Sequence, residues 1–340
     1  MRISGTGVHD LLKGTSLDDY MYGYGGDDTL DGGGGADRLY GHGQNDRLYG
    51  GTGDDVLYGG DDNDTLYGGD DNDTLYGGID DDVLDGGDDA DYLDGGNGID
   101  TAAYGNSDAA VLVSLVTGRG FGGDADGDTL VNIENLSGST GFGDWLIGDD
   151  HNNVLSGLGG NDTLWGGDGG DRLDGGDGAD TLNGGGNTVR LTVGGIFITA
   201  REGDVLMGGH GADKFVFSSI DDIGHALDDS LFDPGPDPIF GFSHAADIIF
   251  DFDPAEGDKI DLRPIDADET VSGNQDFSPT FVPQDEPFTA PGQISWWINE
   301  GAPVPAMAIV LNTDADPFAD ATIQLAWDAA TPDASWFVWA

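Results

Sequence analysis

Ten aspartates recur at intervals of nine residues early in the chain: Asp19, Asp28, Asp37, Asp46, Asp55, Asp64, Asp73, Asp82, Asp91 and Asp100. The doubled stretch YGGDDNDTLYGGDDNDTLYGG, residues 58–78, shows the period at its plainest, with three carboxylates in every nine residues. Two carboxylates held about 5 Å apart at an effective dielectric near 20 repel by roughly 3 kcal/mol, so a fold that stacks them needs a counter-charge. The recurring positions offer oxygen ligands alone: carboxylates, and backbone carbonyls that glycine leaves accessible, with no His or Cys in register. That donor set favours a hard cation with flexible coordination. Ca2+ fits better than Mg2+, which keeps its water and wants strict octahedra, and better than Zn2+.

The elements that would position these carboxylates follow from the rest of the unit. Counting in nines from Gly14, position 6 is Asp and position 8 is apolar: Met21, Leu30, Leu39, Leu48, Leu57, Leu66, Leu75, Leu84 and Leu93, then Ala102. A fixed short period is the mark of a solenoid. The period breaks after Ala103, where Val111, Val113 and Leu115 alternate as in a half-buried strand. It returns with Asp144, Asp162, Asp171 and Asp180, with Asn153 in place of one Asp, so sites beside Asn153 should be weaker. NTVRLTVGGIFITARE, 187–202, then interrupts the array and reads as a β-hairpin, and the repeat resumes with Asp204 and Asp213. In GDADGD, Asp124, Asp126 and Asp128 alternate as in a calcium loop, but Thr129 stands where such a loop needs glycine, so an acidic turn is expected.

These units resemble the RTX, or hemolysin-type calcium-binding, nonapeptide GGxGxDxUx, in which U is a large apolar residue. The resemblance implies an all-β fold: a right-handed parallel β-roll in two blocks plus a β-rich C-terminal capping and secretion region. In such a roll six residues turn, three form a short strand, and two units complete a coil, so residues 18 apart stack at about 4.8 Å. Asp46, Asp64 and Asp82 should then line one edge, and Asp55, Asp73 and Asp91 the other. The metal ligands implied for multiple Ca2+ ions are Asp28, Asp37, Asp46, Asp55, Asp64, Asp73, Asp82, Asp91, Asp100, Asp144, Asp162, Asp171, Asp180, Asp204 and Asp213. The backbone carbonyls of Gly41, Gly50, Gly59, Gly68, Gly77, Gly86, Gly157, Gly166 and Gly175 complete the set. One departure stands out: Asp62, Asp71, Asp80 and Asp89 occupy position 4, where the family keeps glycine for a left-handed backbone. Asp tolerates that conformation at some cost. The exchange is either drift or added charge that tightens calcium binding or recruits outer-shell cations.

Composition narrows the partners. The net charge is -55, from 66 Asp and Glu against 11 Lys and Arg, which argues against nucleic acid and anionic membranes. Without cysteine there is neither a disulfide framework nor a thiolate metal site. No apolar run has the length of a signal peptide or a transmembrane segment. The expected organisation is an N-terminal cap at 1–13, a first roll at 14–103, a bridging β segment at 104–137, a second roll at 138–216 interrupted by the 187–202 hairpin, and a C-terminal region at 217–340. Within the last, residues 245–340, with ADIIFDFDPAEGDKIDLRPIDAD and FTAPGQISWW, resemble the region after the repeats in serralysin-type metalloproteases. That resemblance implies a type I secretion signal in the closing DASWFVWA, the type I apparatus as a partner, and a secreted, extracellular or cell-surface protein. Calcium outside the cell would then drive folding.

The resemblance does not extend to catalysis. HExxH is absent, and histidines 9, 42, 151, 210, 225 and 244 are scattered, with His42 and His210 expected as exposed turn residues. GNSDA around Ser107 only approximates a nucleophile elbow. The reading is a non-enzyme; the alternative is a polysaccharide-acting or other extracellular enzyme, or a protease remnant. Tyr22, Tyr40, Tyr58 and Tyr76, 18 apart at position 9, should form an outward column, and Tyr49 and Tyr67 another. Such ladders stabilise cross-strand packing, or serve as a platform for an extracellular polysaccharide or a cell-surface component.

Overall fold

The 18-residue spacing of like side chains becomes the register of two parallel ladders. The computed structural model describes residues 1–186, 189–193, 196–200, 205–210, 213–216, 248–249, 259–261, 293–299, 306–312, 321–325 and 337–338. It is an all-β parallel solenoid divided into two compact units, one of Met1–Gly148 with Val154–Asp162, the other of Asp149–Asn153 with Thr163–Ala340. Among the described residues no helix is long and apolar enough to cross a membrane.

In the first unit, one ladder runs through Tyr20–Tyr22, Arg38–Gly43, Val56–Asp61, Thr74–Ile79 and Tyr92–Asn97. The other runs through Thr29–Gly34, Arg47–Thr52, Thr65–Asp70 and Val83–Gly87. Every neighbour is 18 residues away, as in Leu39↔Leu57, Leu57↔Leu75 and Leu48↔Leu66. Alternation along each strand turns position 8 inward, and Met21, the eight leucines from Leu30 to Leu93, and Ala102 are all 0% exposed. The resemblance implies three-residue strands, but the central strands have six. Pairing carries on through the glycines, as in Gly51↔Gly69 and Gly60↔Gly78, because backbone without side chains keeps its ladder bonds on both sides.

Residues 1–13, expected as a cap, supply two further rungs: Arg2–Ser4 pairs with Tyr20–Tyr22, and Leu11–Lys13 with Thr29–Gly34. The bridging segment does more than hold the half-buried strand expected around Val113. Leu112–Ser114 pairs antiparallel with Arg119–Phe121 and parallel with Trp145–Ile147. Thr129–Val131 and Asn135–Ser137 then rejoin the ladders beside Tyr92–Asn97 and Thr101–Ala103.

In the second unit, Thr163–Asp168, Thr181–Gly186 and Lys214–Val216 form successive parallel rungs, as do Arg172–Asp177 and Val205–His210. The interruption is the hairpin expected from its sequence, Val189–Val193 paired antiparallel with Ile196–Ala200 as a sheet of its own. Of residues 217–340, Ile248–Ile249 and Lys259–Asp261 add parallel rungs, followed by Ala321–Leu325 and Phe337–Val338. Gln293–Asn299, Ala306–Asn312 and Ala321–Leu325 join antiparallel. The secretion signal expected at 333–340 lies, apart from Phe337–Val338, outside the described residues.

Each inward leucine is fully enclosed between its neighbours in the coils before and after. Leu66→Ala should therefore cost about 2–5 kcal/mol of stability, measured by urea unfolding with calcium present.

Candidate metal centres

Three left-over residues per unit turn each edge, and position 6 comes out of that turn with its carboxylate facing inward. Asp28, Asp37, Asp46, Asp55, Asp64, Asp73, Asp82, Asp91 and Asp100 are at most 3% exposed. They stack as two files. Asp46 N–H donates to Asp64 Oδ1 and Asp64 N–H to Asp82 Oδ1, each at 2.7 Å. On the other edge Asp55 N–H donates to Asp73 and Asp73 N–H to Asp91, also at 2.7 Å. The expected separation of even and odd units onto two edges is therefore what the structure has.

One oxygen of each carboxylate is thus fixed by the coil before it. The other, Oδ2, is buried without a hydrogen-bond donor in all nine, Asp28 through Asp100. Such an atom carries the full desolvation cost of an acceptor with nothing in return. Burial is the first cause, and the stacked neighbouring carboxylates a lesser one, of the upward shifts in acidity. Asp46 and Asp55 are pushed up to about 7, Asp64 and Asp73 to about 8, and Asp91 to about 9.

The position 1 glycines explain themselves at this site. A Cβ on Gly59 would collide with Asp64 Oδ2 and lie 2.6 Å from the Gly77 carbonyl; Gly50 and Gly41 meet the same pairing with Asp55 and Gly68, and with Asp46 and Gly59. The carbonyls of Gly41, Gly50, Gly59, Gly68, Gly77 and Gly86 thus lie alongside the carboxylate oxygens of Asp28, Asp37, Asp46, Asp55, Asp64 and Asp73. Gly157 stands in the same way toward Asp144 beside Gly138. Gly166 and Gly175 are buried in Thr163–Asp168 and Arg172–Asp177. Oxygen ligands of carboxylate and carbonyl type, crowded and lacking donors, fit a hard cation.

The files continue beyond the regular repeat. Asp144 N–H donates to Asp162 at 2.8 Å in the first unit. In the second, Asn153 N–H donates to Asp171 at 2.8 Å and Asp180 N–H to Asp213 at 3.0 Å. Asp204 lies outside the described residues. Two members escaped the period count. Asp128 accepts from Asp91 N–H, and Glu134 from Asp100 N–H, each at 2.8 Å. Asp128 is 0% exposed, so it is a member of the file, and the acidic turn before it holds Asp124 in a 3-10 turn, Gly123–Ala125, and Asp126 just after it. Their marks in the sequence are the triplets Asp128-Thr129-Leu130 and Glu134-Asn135-Leu136, which keep the acid-x-apolar core of the repeat out of its spacing.

Asp62, Asp71, Asp80 and Asp89 do take the left-handed backbone, with φ of 74°, 75°, 73° and 76°. Ser107 is no exposed nucleophile: its hydroxyl donates to the Ala109 carbonyl at 2.9 Å and accepts Asp124 N–H. His151 lies beside Asp149 and Asp150 on an exposed turn. The tyrosine column stacks face to face, with ring centroids of Tyr22, Tyr40, Tyr58 and Tyr76 5.0, 4.8 and 5.0 Å apart. Ring faces are therefore used up within the column. His42 is exposed as expected but lies in the strand Arg38–Gly43 and not in a turn; it stacks on Tyr24 at 5.5 Å and has Gly60, which carries no side chain, as its partner in the next coil. A cleft of about 500 Å³ lined by Tyr24, Tyr40, His42, Tyr58 and Asp61 opens there.

Residues 4–39, 40–75, 67–102, 138–173 and 156–188 match the RTX calcium-binding nonapeptide repeat family. These stretches carry RTX calcium-binding repeats. The cofactor of this repeat family is Ca2+, in keeping with the oxygen-only files. Residues 103–137 and 189–340 lie outside the matches. Among solved structures, the AlgE6R3 subunit of the Azotobacter vinelandii mannuronan C5-epimerase is 22% identical, with 58% of this chain and 79% of that one covered at a TM-score of 0.24. Among curated proteins none matches.

The raised acidities fix a pH dependence. A carboxyl whose folded pKa is above its unfolded value favours folding at low pH, and that contribution is lost as pH rises through the folded value. With calcium chelated, the strand signal in circular dichroism should be stronger near pH 5 than near pH 9, the stability falling progressively from about the ordinary carboxylate value near 4 up to about 9. A signal that grew with pH would contradict the burial of these groups.

Proposed function

We propose that this is a secreted calcium-binding protein whose rolls fold when calcium becomes available outside the cell, and which then acts as an extracellular binding or structural module. The reading rests on the nine buried Oδ2 atoms of Asp28 through Asp100, which have no hydrogen-bond donor in loops matched by the RTX repeat. Calcium supplies the positive charge these files lack. The chain's own part is to hold each carboxylate by one oxygen and keep water out with the leucine core. It also presents the Gly41 to Gly86 carbonyls beside the second oxygen.

Coupling of metal binding to folding gives the chain a direction. In a calcium-poor cytosol it stays extended enough to thread an export channel, and at millimolar calcium it folds and is retained outside. Export by a type I apparatus rests on the likeness of residues 245–340 to the region after the repeats of serralysin-type proteases. Once outside, the natural contact surface is the His42 cleft, where an imidazole face and the Tyr58 edge stand beside Asp61. A cell-surface component or polysaccharide is the partner class this reading takes.

Titrating calcium into chelated protein should produce strand signal in circular dichroism in step with calorimetric binding, and magnesium at equal concentration should not. A fully formed roll in excess chelator at pH 7.5 would overturn the proposal.

A further inference from the structure

The repeat loops of the first unit come in two backbone forms, and the chain itself marks which is which. In the loops that end at Asp28, Asp37, Asp46, Asp55, Asp64, Asp73, Asp82, Asp91 and Asp100, position 2 is Tyr24, Gly33, His42, Gly51, Gly60, Gly69, Gly78, Gly87 or Gly96. All nine have positive φ, from 80° to 132°. Tyr24 and His42 adopt it despite their side chains, so the conformation is demanded by the loop and not merely allowed by glycine. Each of these nine loops leaves the carboxylate's Oδ2 buried and without a donor.

The other form occurs where position 2 is Thr or Ser outside the left-handed region. Thr6 N–H and Thr6 Oγ1 both donate to Asp10 Oδ2, at 2.6 and 2.8 Å. Thr15 N–H and Oγ1 do the same to Asp19 Oδ2, at 2.8 and 2.9 Å. Ser139, which follows Gly138 as position 2 follows position 1 elsewhere, donates its N–H and Oγ to Asp144 Oδ2 at 2.6 and 2.9 Å. Position 4 changes in concert: Val8 and Leu17 replace left-handed residues such as Gly35 and Gly53, and neither has positive φ; the Ser139 loop is one residue longer, and none of its residues from Ser139 to Gly143 has positive φ. Asp128 reaches the same end by another route, since the fully buried Tyr104 hydroxyl donates to its Oδ2 at 2.9 Å.

From this contrast we infer that the conformation at position 2 decides which loops take calcium. Loops with a left-handed position 2 are open and bind the ion; loops closed by Thr6, Thr15 or Ser139, and the Tyr104-capped Asp128, supply donors to the carboxylate's Oδ2 and bind none, Asp19 Oδ1 being paired with the Met1 ammonium. A left-handed residue turns its peptide so that the N–H cannot reach the carboxylate behind it. An extended residue delivers that N–H, and a hydroxyl on the same residue adds a second donor. Two donors on one carboxylate oxygen stand in for the ion's electrostatic role. Calcium in the first array is thereby confined to the stretch from Asp28 to Asp100, with metal-independent closures before it at Asp10 and Asp19 and after it at Asp128 and Asp144. The inference rests on the calcium reading above and adds which residues grant or refuse the ion.

The experiment converts one form into the other in the full chain and counts bound calcium by equilibrium dialysis with atomic absorption. Thr15→Gly with Leu17→Gly rewrites GTSLDD as GGSGDD, the open pattern. It should add one calcium per chain while circular dichroism at saturating calcium stays unchanged. The reverse pair, Gly33→Thr with Gly35→Leu, places the closed pattern before Asp37 and should remove one, which covers the case in which the first variant folds poorly. An unchanged count in both variants, with the parent chain still binding calcium, overturns this inference alone. A parent chain that binds no calcium overturns the functional reading as well.

Discussion

A carboxylate buried with one oxygen bonded and the other bare is the feature on which the rest of this structure depends. The bonded oxygen sets the register: Asp64 Oδ1 receives Asp46 N–H, so each coil can settle on the next only 18 residues on. The bare oxygen makes a place for a cation, because burial first, and the neighbouring carboxylates second, raise Asp64 and Asp73 to about 8. Leucine burial cannot take the cation's place, since the leucines line the core and not the edges. Their contribution, roughly 1.5–3 kcal/mol each, is present with or without the ion. In the function proposed above, the ion acts as a switch placed on top of a core that is insufficient by itself.

Much of this could be read in the sequence because the solenoid maps period onto space almost without distortion. The recurrence of Asp at position 6 and Leu at position 8 locates both files and the core, and the 18-residue column of Tyr22, Tyr40, Tyr58 and Tyr76 appears in the structure with rings about 5 Å apart. What a strict count of nines hides is a residue that keeps its place in space while losing its place in sequence. Asp128 follows Asp91 in the file, yet 37 residues separate them, because Leu112–Ser114 and Arg119–Phe121 are inserted between. Glu134 was hidden twice, by spacing and by being Glu. Position 2 was hidden for a different reason. Thr15 and Gly33 look like neutral variation in a glycine-rich turn, and only the direction of an N–H tells them apart.

The Asp residues at position 4 fall into place on the same terms. Asp62, Asp71, Asp80 and Asp89 adopt φ near 75°, in keeping with the left-handed position 4 of every open loop but the one that ends at Asp100, where Gly98 is not left-handed. Asp accepts that backbone with less strain than a larger side chain would. Their carboxylates add to the negative charge along the edges. The doubled YGGDDNDTL is thus two consecutive open loops, one on each edge, and their repeated acid meets its like only across a full coil.

The most direct measurement is site-resolved amide hydrogen exchange with and without calcium at pH 7.5. The N–H groups of Asp46, Asp55, Asp64 and Asp73 each donate to the next carboxylate in their file. The account predicts strong protection of all four with calcium and its loss in chelator, with the two edges responding together. Equal protection in both conditions would show that the files are stable without a cation and would contradict it.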